Sequence, residues 1–262
     1  MTILTRLSLG WLSLMAIAII DYSPHGSSKV KVFAQSLPTD SVVLPNYLND
    51  SFLAFCQSAT VRVIKADSAG SGVIINRQGD TYSVLTNWHV VNSSNPLILT
   101  VDDQQHQLLE APQQLGNLDL AILHFTSEVE YPVAPVKSTM PQVGDTVYAA
   151  GFPLEINQSS SLELGNDAFR LTQGQISIIP DKSLPQGYQL GYTNDTAVGM
   201  SGSPIFNTEG SVVAIHGRGK YRDPAFGVYI FEDGSEPNPE QLSQMIKSSW
   251  GIPISTYAEL LD

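Results

Sequence analysis

The chain has 262 residues and carries 25 Asp and Glu against 13 Lys and Arg, a formal net charge of −12. This charge makes it a poor candidate for a general nucleic-acid binder, because phosphate contacts draw on clustered Lys and Arg. Hydrophobic residues make up 42% of the chain, which is enough for a core and excludes wholesale disorder. The single cysteine, Cys56, excludes a disulfide framework within the chain and a cysteine-rich zinc site.

The N-terminus has the pattern of an export signal. Arg6 supplies a positive charge, and residues 7–20 form an apolar run without charges. That run suits the hydrophobic region of a signal peptide and is short for a membrane span of about 20 residues. We predict a signal peptide over residues 1–34, with a retained N-terminal anchor as the alternative. The protein is then exported, periplasmic or secreted, with no membrane span after signal removal.

The rest of the chain has the pattern of an all-β protein. A leader rich in Pro, Asn, Asp and Ser is predicted at 35–57, and short strand-like runs separated by turn residues follow it. This spacing favours a sandwich or barrel over β–α–β units. The predicted strands fall at 60–64, 72–76, 82–86, 97–101, 106–109 and 120–125, then at 143–150, 169–179, 189–193, 203–206, 212–216 and 227–231. One helix is predicted at 239–247 from its apolar spacing.

Three short motifs carry candidate chemistry, in the chain order His, Asp, Ser. His89 follows a predicted strand, Asp119 precedes an apolar run, and Ser201 lies in a Gly-Met-Ser-Gly-Ser segment. A serine hydroxyl is a weak nucleophile that needs a base, and the base needs an anionic partner to orient it. The nearby glycines permit a tight turn whose N–H groups can face an oxyanion. Each residue alone also fits a structural role, so the prediction of catalysis depends on all three.

These motifs resemble those of the trypsin-like (chymotrypsin-fold) serine peptidases in their bacterial, disulfide-free form. The resemblance covers about residues 58–232. It implies an all-β fold of two six-stranded antiparallel β-barrels, chymotrypsin-like, with the C-terminal helix packed on the second barrel. The barrels would occupy residues 58–137 and 138–262. The family requires no metal and no organic cofactor.

The resemblance also implies hydrolysis of peptide bonds through an acyl-enzyme. His89 would be the general base, Asp119 its orienting partner and Ser201 the nucleophile. The N–H groups of Gly199 and Ser201 would form the oxyanion hole. The expected partners are therefore polypeptide substrates, and the oligomeric state stays open.

Residues that match the family's specificity pocket suggest two different substrate preferences. Asp195 stands six residues before Ser201, where trypsin carries its pocket aspartate, and it suggests recognition of Arg or Lys. Thr196 and His216 match instead the pocket of bacterial glutamyl endopeptidases, in which a His and a hydroxyl hold the substrate carboxylate. The two readings exclude each other unless Asp195 turns away from the pocket. The match of two residues favours cleavage after Glu.

Four further positions bear on the pocket and on activation. Gly219 and Gly227 match positions that the family keeps small where a long substrate side chain enters. Met200 stands where proteolytically activated members carry Asp, so we expect no zymogen switch through an N-terminal salt bridge. Gly217 stands where many relatives place a Ser that hydrogen-bonds the triad Asp. Asp119 must therefore find other partners, and backbone N–H groups near the triad His are candidates.

Alternative readings are weaker. A non-catalytic module on the same fold would capture extended peptides by β-augmentation. A quality-control protease of the high-temperature-requirement family would carry a C-terminal peptide-binding domain, for which too few residues follow the second barrel. An α/β-hydrolase would place its His after the Ser, where only His216 stands. The other histidines (His25, His106 and His124) lack metal-ligand spacing, so we expect no metal site.

Overall fold

The computed structural model describes residues 50–65, 68–92, 95–154 and 168–258, together with the backbone of strands β1 (Ala16–Ile20) and β2 (Val30–Ala34). These two strands pair antiparallel within an N-terminal unit, Met1–Leu48. Most of the predicted signal peptide and leader lies outside the described residues, so the signal and its cleavage site stay predictions. None of the helices described is both long and apolar enough to cross a membrane.

The second unit, Asn49–Asp262, contains two antiparallel sheets, of which the first has seven strands. Its strands are β3 (Thr60–Ile64), β4 (Ala69–Gln78), β5 (Thr81–Thr86), β6 (Leu97–Leu99), β7 (Gln105–Gln107), β8 (Gln113–Gln114) and β9 (Ala121–Thr126). Their spatial order is β7-β6-β3-β4-β5-β9-β8. Alternate side chains point into one core, which includes Val61, Val63, Ile74, Val84 and Phe125.

This first sheet is curled, and its two ends approach each other. The backbone N–H of Leu109, just after β7, donates to the carbonyl of His124 in β9 at 2.9 Å. The predicted all-β class and chymotrypsin-like arrangement are confirmed, with one difference in this half. In place of a closed six-stranded barrel, the chain forms a curled sheet whose extra member is the two-residue strand β8.

The second sheet is a closed six-stranded barrel. Its strands are β10 (Thr146–Gly151), β11 (Arg170–Ile178), β12 (Leu190–Tyr192), β13 (Pro204–Phe206), β14 (Val212–Arg218) and β15 (Ser249–Pro253). The order β10-β11-β12-β15-β14-β13 closes through pairing of β10 with β13. Closure satisfies the edge strands and gives the barrel a core of its own.

One strand prediction in this half is wrong and one strand was not predicted. The predicted strand at 227–231 is absent from the described structure: Pro224–Phe226 forms a 3-10 turn, and Gly227 follows with a φ of +65°. A left-handed residue turns the chain, so no strand can continue through it. The sixth barrel strand is β15, after the C-terminal helix, where Gly251 and Pro253 break the usual strand composition.

The helices are α1 (Asp50–Ala59), α2 (Trp88–Val91), α3 (Pro239–Ile246) and α4 (Ile254–Ala258). Helix α3 lies where the sequence predicts a helix. Its start follows from local chemistry, because the Asn238 side chain accepts a hydrogen bond from the Gln241 N–H at 2.9 Å. Pro239 occupies the first turn, where a missing N–H costs nothing.

Helix α1 corrects the prediction of a linker up to residue 57. It runs directly into β3 of the first sheet, yet its aromatic side chains pack on the second barrel. Phe52 meets Tyr148 edge-on with ring centroids 5.0 Å apart, and Phe55 meets Phe206 at 6.1 Å. The end of the predicted leader therefore belongs to the folded body and ties its two halves together.

Candidate active site

A cleft between the two halves gathers the residues of all three motifs. Its main pocket, of about 650 Å³, is lined by His89 from the first half and by Ser201 and His216 from the second. An adjoining pocket of about 450 Å³ shares His89 and Ser201 and adds Asp119 and Tyr188. The structure thus brings His89, Asp119 and Ser201 to one cleft from three separate segments of sequence.

Asp119 holds His89 by two hydrogen bonds. The His89 ring donates from Nδ1 to Oδ2 of Asp119 at 2.6 Å, and the His89 backbone N–H donates to Oδ1 at 2.8 Å. Asn87, at the N-terminus of α2, donates from its side chain to the Asp119 backbone carbonyl at 2.9 Å. These contacts fix the imidazole and leave Nε2 as the nitrogen that can take up a proton.

The environment of Asp119 favours its ionised form. Burial alone would raise the pKa of this carboxyl group, whose side chain is 4% exposed. Hydrogen bonds from the His89 ring, the Tyr188 hydroxyl and the His89 backbone N–H outweigh burial and lower the pKa below its usual value. Asp119 therefore stays an anion that can stabilise an imidazolium.

Tyr188 is a partner of Asp119 that no sequence motif indicates. Its hydroxyl donates to Oδ2 of Asp119 at 2.5 Å, and the ring is buried between the two halves. The sequence predicts that Asp119 finds backbone N–H partners because Gly217 replaces a serine. The His89 backbone N–H is such a partner, and the Tyr188 hydroxyl is a second that lies outside that prediction.

A turn with two left-handed glycines presents Ser201. Gly199 has a φ of +91° and Gly202 a φ of +88°. A Cβ atom at Gly202 would collide with the carbonyl of Ser71 in β4, so this position requires glycine. The first sheet supports the turn directly: the Ser71 N–H donates to the Ser201 carbonyl at 2.7 Å, and its hydroxyl donates to the Gly199 carbonyl at 3.0 Å.

Some backbone N–H groups of this turn donate hydrogen bonds within the protein, and others do not. The Met200 N–H donates to the Ala197 carbonyl at 3.0 Å, and the Met200 side chain is fully buried. Among the described residues, the N–H groups of Gly199 and Ser201 have no hydrogen-bond acceptor, and both residues line the main pocket. Two unpaired donors beside a hydroxyl can stabilise a tetrahedral oxyanion.

The residues predicted to form the specificity pocket occupy different environments in the structure. The Asp195 side chain is 92% exposed and pairs with the Lys220 ammonium group at 2.7 Å. Thr196 lies deeper, with its hydroxyl 3.3 Å from the Ser249 hydroxyl. Gly219 lines the main pocket beside Thr196, whereas Gly227 lines neither pocket. The structure therefore separates Gly227 from the predicted pocket.

His216 is a buried, neutral imidazole on the wall of the main pocket. Burial, followed by the nearby His89, lowers the pKa of His216 to about 3. Its Nδ1 lies 2.6 Å from the hydroxyl of Tyr192, whose own pKa burial raises well above its usual value. The Tyr192 phenol keeps its proton, and the direction of this hydrogen bond follows the tautomer of the ring. The Trp250 backbone is a further hydrogen-bond partner of the imidazole. In the tautomer protonated at Nε2, the neutral ring has one N–H donor.

Four cationic side chains line the two pockets. We call them the cationic lining, and they are Lys65, Arg218, Lys220 and Arg222. Asp195 and Asp119 are the two carboxylates that also line these pockets. The sequence did not predict this set: Arg218 ends β14, Lys220 and Arg222 follow it directly, and Lys65 comes from the first sheet, after β3. In a chain of net charge −12, the cleft is a local region of positive charge.

Comparisons with known proteins agree with this architecture. The trypsin-like peptidase domain family matches residues 70–215. The Serine protease Do-like HtrA of Bacillus subtilis is 26% identical over 79% of this chain and 46% of its own length. A Probable periplasmic serine endoprotease DegP-like from Hahella chejuensis is 31% identical over 58% of this chain and 30% of its own. The chain therefore spans less than half the length of these curated relatives.

Solved structures share the fold. The serine endoprotease from Yersinia pestis superimposes with a TM-score of 0.54 at 21% identity, over 80% of this chain and 64% of its own. An inactive mutant form of Rv3671c from M. tuberculosis H37Rv gives a TM-score of 0.57 at 19% identity, over 83% of this chain and 91% of its own. The curated relatives named here are of the HtrA and DegP type, which the sequence analysis gave as a weaker alternative. None of those named is a glutamyl endopeptidase, so that similarity stays a prediction. The family match covers more than half of the chain, and the chain belongs to the trypsin-like peptidase family.

Proposed function

We propose that this protein is an exported serine endopeptidase. The observation that carries the proposal is the double hydrogen bond of Asp119 to the ring and backbone of His89, in the cleft that Ser201 also lines. A buried carboxylate that orients a half-exposed imidazole beside a serine is the arrangement required for acyl transfer. Export is supported by the N-terminal pattern and by relatives named as periplasmic.

Acylation would begin with attack of Ser201 Oγ on the substrate carbonyl carbon while Nε2 of His89 takes the hydroxyl proton. Asp119 stabilises the resulting imidazolium without accepting a proton. The N–H groups of Gly199 and Ser201 donate to the oxyanion of the tetrahedral intermediate. Collapse of this intermediate breaks the C–N bond, and His89 returns the proton to the leaving amine.

Deacylation repeats these steps with water as the nucleophile. His89 takes a proton from the water that attacks the acyl-enzyme ester, and the same N–H groups stabilise the second oxyanion. Collapse breaks the bond to Ser201 Oγ, which regains its proton from His89. The products are a carboxylic acid and the regenerated enzyme, and no cofactor takes part.

We further propose a preference for Glu before the scissile bond. The neutral His216 ring can donate from Nε2 in one of its tautomers, Thr196 has a hydroxyl, and the cationic lining attracts a carboxylate. Cleavage after Arg or Lys through Asp195 is the alternative. It is disfavoured because Lys220 already neutralises the Asp195 carboxylate, which turns to solvent.

A peptide library randomised at the residue before the scissile bond tests both parts. The full chain is compared with its Ser201→Ala variant as the blank. Cleavage after Glu that is absent from the blank is the expected result. Cleavage after Arg or Lys would overturn the Glu preference and assign the pocket to Asp195. Cleavage no greater than that of the blank would overturn the peptidase proposal and favour a peptide-binding module.

A further inference from the structure

A hydrogen bond between the two halves of the molecule completes the shell around Asp119. Asp119 precedes β9 of the first sheet, and Tyr188 precedes β12 of the second barrel. The Tyr188 hydroxyl and the Nδ1 of His89 both donate to Oδ2 of Asp119, while the His89 backbone N–H binds Oδ1. Each carboxylate oxygen is thus occupied, and one of its three donors comes from the opposite half.

Tyr188 and Gly217 are complementary in space. A Cβ atom at Gly217 would collide with the Tyr188 hydroxyl and would lie 2.8 Å from Cζ of its ring. The hydroxyl therefore occupies the volume into which a side chain at residue 217 would project. Any residue larger than glycine at 217 would displace the phenol from Asp119.

The Tyr188 ring is held from its outer side. The Arg218 guanidinium lies over the ring, 3.9 Å from its centroid, and donates to the Pro185 carbonyl at 3.0 Å. The Gln186 carbonyl of the same turn accepts the Asp119 backbone N–H at 3.1 Å. The turn that carries Tyr188 is thus bonded to both the backbone and the side chain of Asp119, which limits relative movement.

The Tyr188 hydroxyl always acts as the donor in its hydrogen bond with Asp119. Burial and then the neighbouring Asp119 charge raise the pKa of Tyr188 well above its usual value, so the phenol keeps its proton at every working pH. Among the described residues, the ionisable groups that act on Asp119 are His89, Tyr188 and Arg218, and Arg222 lines the same pocket. Tyr188 differs from the others because its single polar side-chain atom, the hydroxyl oxygen, contacts the carboxylate.

We propose that Tyr188 is a positioning residue of the catalytic apparatus, which orients Asp119 from the opposite half through the space that Gly217 leaves open. Arg218 holds the Tyr188 ring in this position. The inference rests on the proposed peptidase activity. It adds that the orientation of the His89–Asp119 pair depends on the docking of the second barrel against the first sheet.

Tyr188→Phe tests the hydroxyl alone. We expect kcat for a cleaved peptide to fall roughly ten- to hundredfold, the loss for one hydrogen bond to a buried charge, with KM unchanged. Tyr82→Phe is the matched control. The Tyr82 hydroxyl is also buried and donates to the Val129 carbonyl at 3.1 Å, away from the cleft. An unchanged kcat in Tyr188→Phe would overturn the proposal.

A second pair of variants separates positioning from a merely structural role. Gly217→Ser should lower activity in the wild-type background, because the new side chain collides with Tyr188. In the Tyr188→Ala background the same substitution should raise activity, because the serine hydroxyl enters the vacated space beside Asp119. A loss of similar size in both backgrounds would contradict the proposal.

Proton NMR tests the effect of Tyr188 on the His89–Asp119 pair without substrate turnover. The low-field signal of the proton between His89 and Asp119 should shift in Tyr188→Phe and stay in place in Tyr82→Phe. If wild-type hydrolysis does not exceed that of Ser201→Ala while this shift is seen, the peptidase proposal fails and the positioning role stands. If hydrolysis is present and the signal does not respond to Tyr188→Phe, the positioning role alone fails.

Discussion

The Asp195 carboxylate points into solvent and binds the Lys220 ammonium group, 2.7 Å away. The Lys220 side chain is largely buried, so the pair is anchored on the lysine side. A negative charge on the wall of the main pocket, which would repel an acidic substrate, is thereby neutralised. The proposed preference for Glu therefore depends on this pair as well as on His216 and Thr196.

Lys220→Gln should therefore lower kcat/KM for a Glu peptide relative to its Gln counterpart by roughly two- to fivefold, the range of a partly exposed ion pair. The removal of Lys220 leaves the Asp195 charge unpaired beside the entering carboxylate. Lys137→Gln is the control, because Lys137 pairs with Glu209 at 3.0 Å and lines neither pocket of the cleft. The ratio of initial rates on the two peptides is the measurement. A ratio that rises in Lys220→Gln would contradict this account.

His216 should make the protein lose stability on acidification. Its folded pKa of about 3 lies below the unfolded value of about 6.5, so protons bind preferentially to the unfolded chain between these values. The contribution of His216 to the free energy of unfolding is fully present above pH 6.5. It decreases by about 1.4 kcal/mol for each pH unit as the pH falls toward 3. Urea unfolding at pH 7 and pH 4.5 measures it. We expect the wild type to lose more stability than His216→Gln, and equal losses in the two proteins would refute the assignment.

The glycine turn beside Ser201 should not tolerate a side chain. Gly202→Ala introduces both a strained left-handed alanine and a collision with the Ser71 carbonyl. We expect kcat/KM to fall by about a hundredfold or more, because the oxyanion donors move with the turn. Gly79→Ala is the control: Gly79 has a φ of +60° and open space around it, so only the backbone cost remains. Labelling of Ser201 by a fluorophosphonate should be slowed in Gly202→Ala and normal in Gly79→Ala.

Helix α1 should contribute to the stability of the whole folded body. Phe52→Ala removes the edge-on contact with Tyr148 of the second barrel, and we expect a loss of about 1–3 kcal/mol for this half-buried ring. Leu53→Ala, on the exposed side of the same helix, should cost about 0.5 kcal/mol or less. Chemical denaturation of both variants compares the two sides. Equal losses would mean that α1 does not join the halves.

The sequence indicates the motif residues better than the contacts between them. Ser201 and its glycines lie in one short segment, so local pattern is enough to single them out. The Tyr188 contact could not be predicted, because it joins residues 69 positions apart and carries no local signal. Strand β15 was missed for a related reason: its Gly251 lets the backbone pass close to Ile215, a tertiary constraint that strand composition does not express.

The cationic lining and the overall net charge of −12 act over different distances. At physiological ionic strength charges are screened beyond about 8 Å, so the cationic lining acts only on groups close to the cleft. We expect attraction of an acidic segment once it lies within this distance of the cleft. The protein would then discriminate by chain flexibility as well as by composition. We therefore expect unfolded acidic segments, which can enter the cleft, to be cleaved in preference to compact acidic proteins.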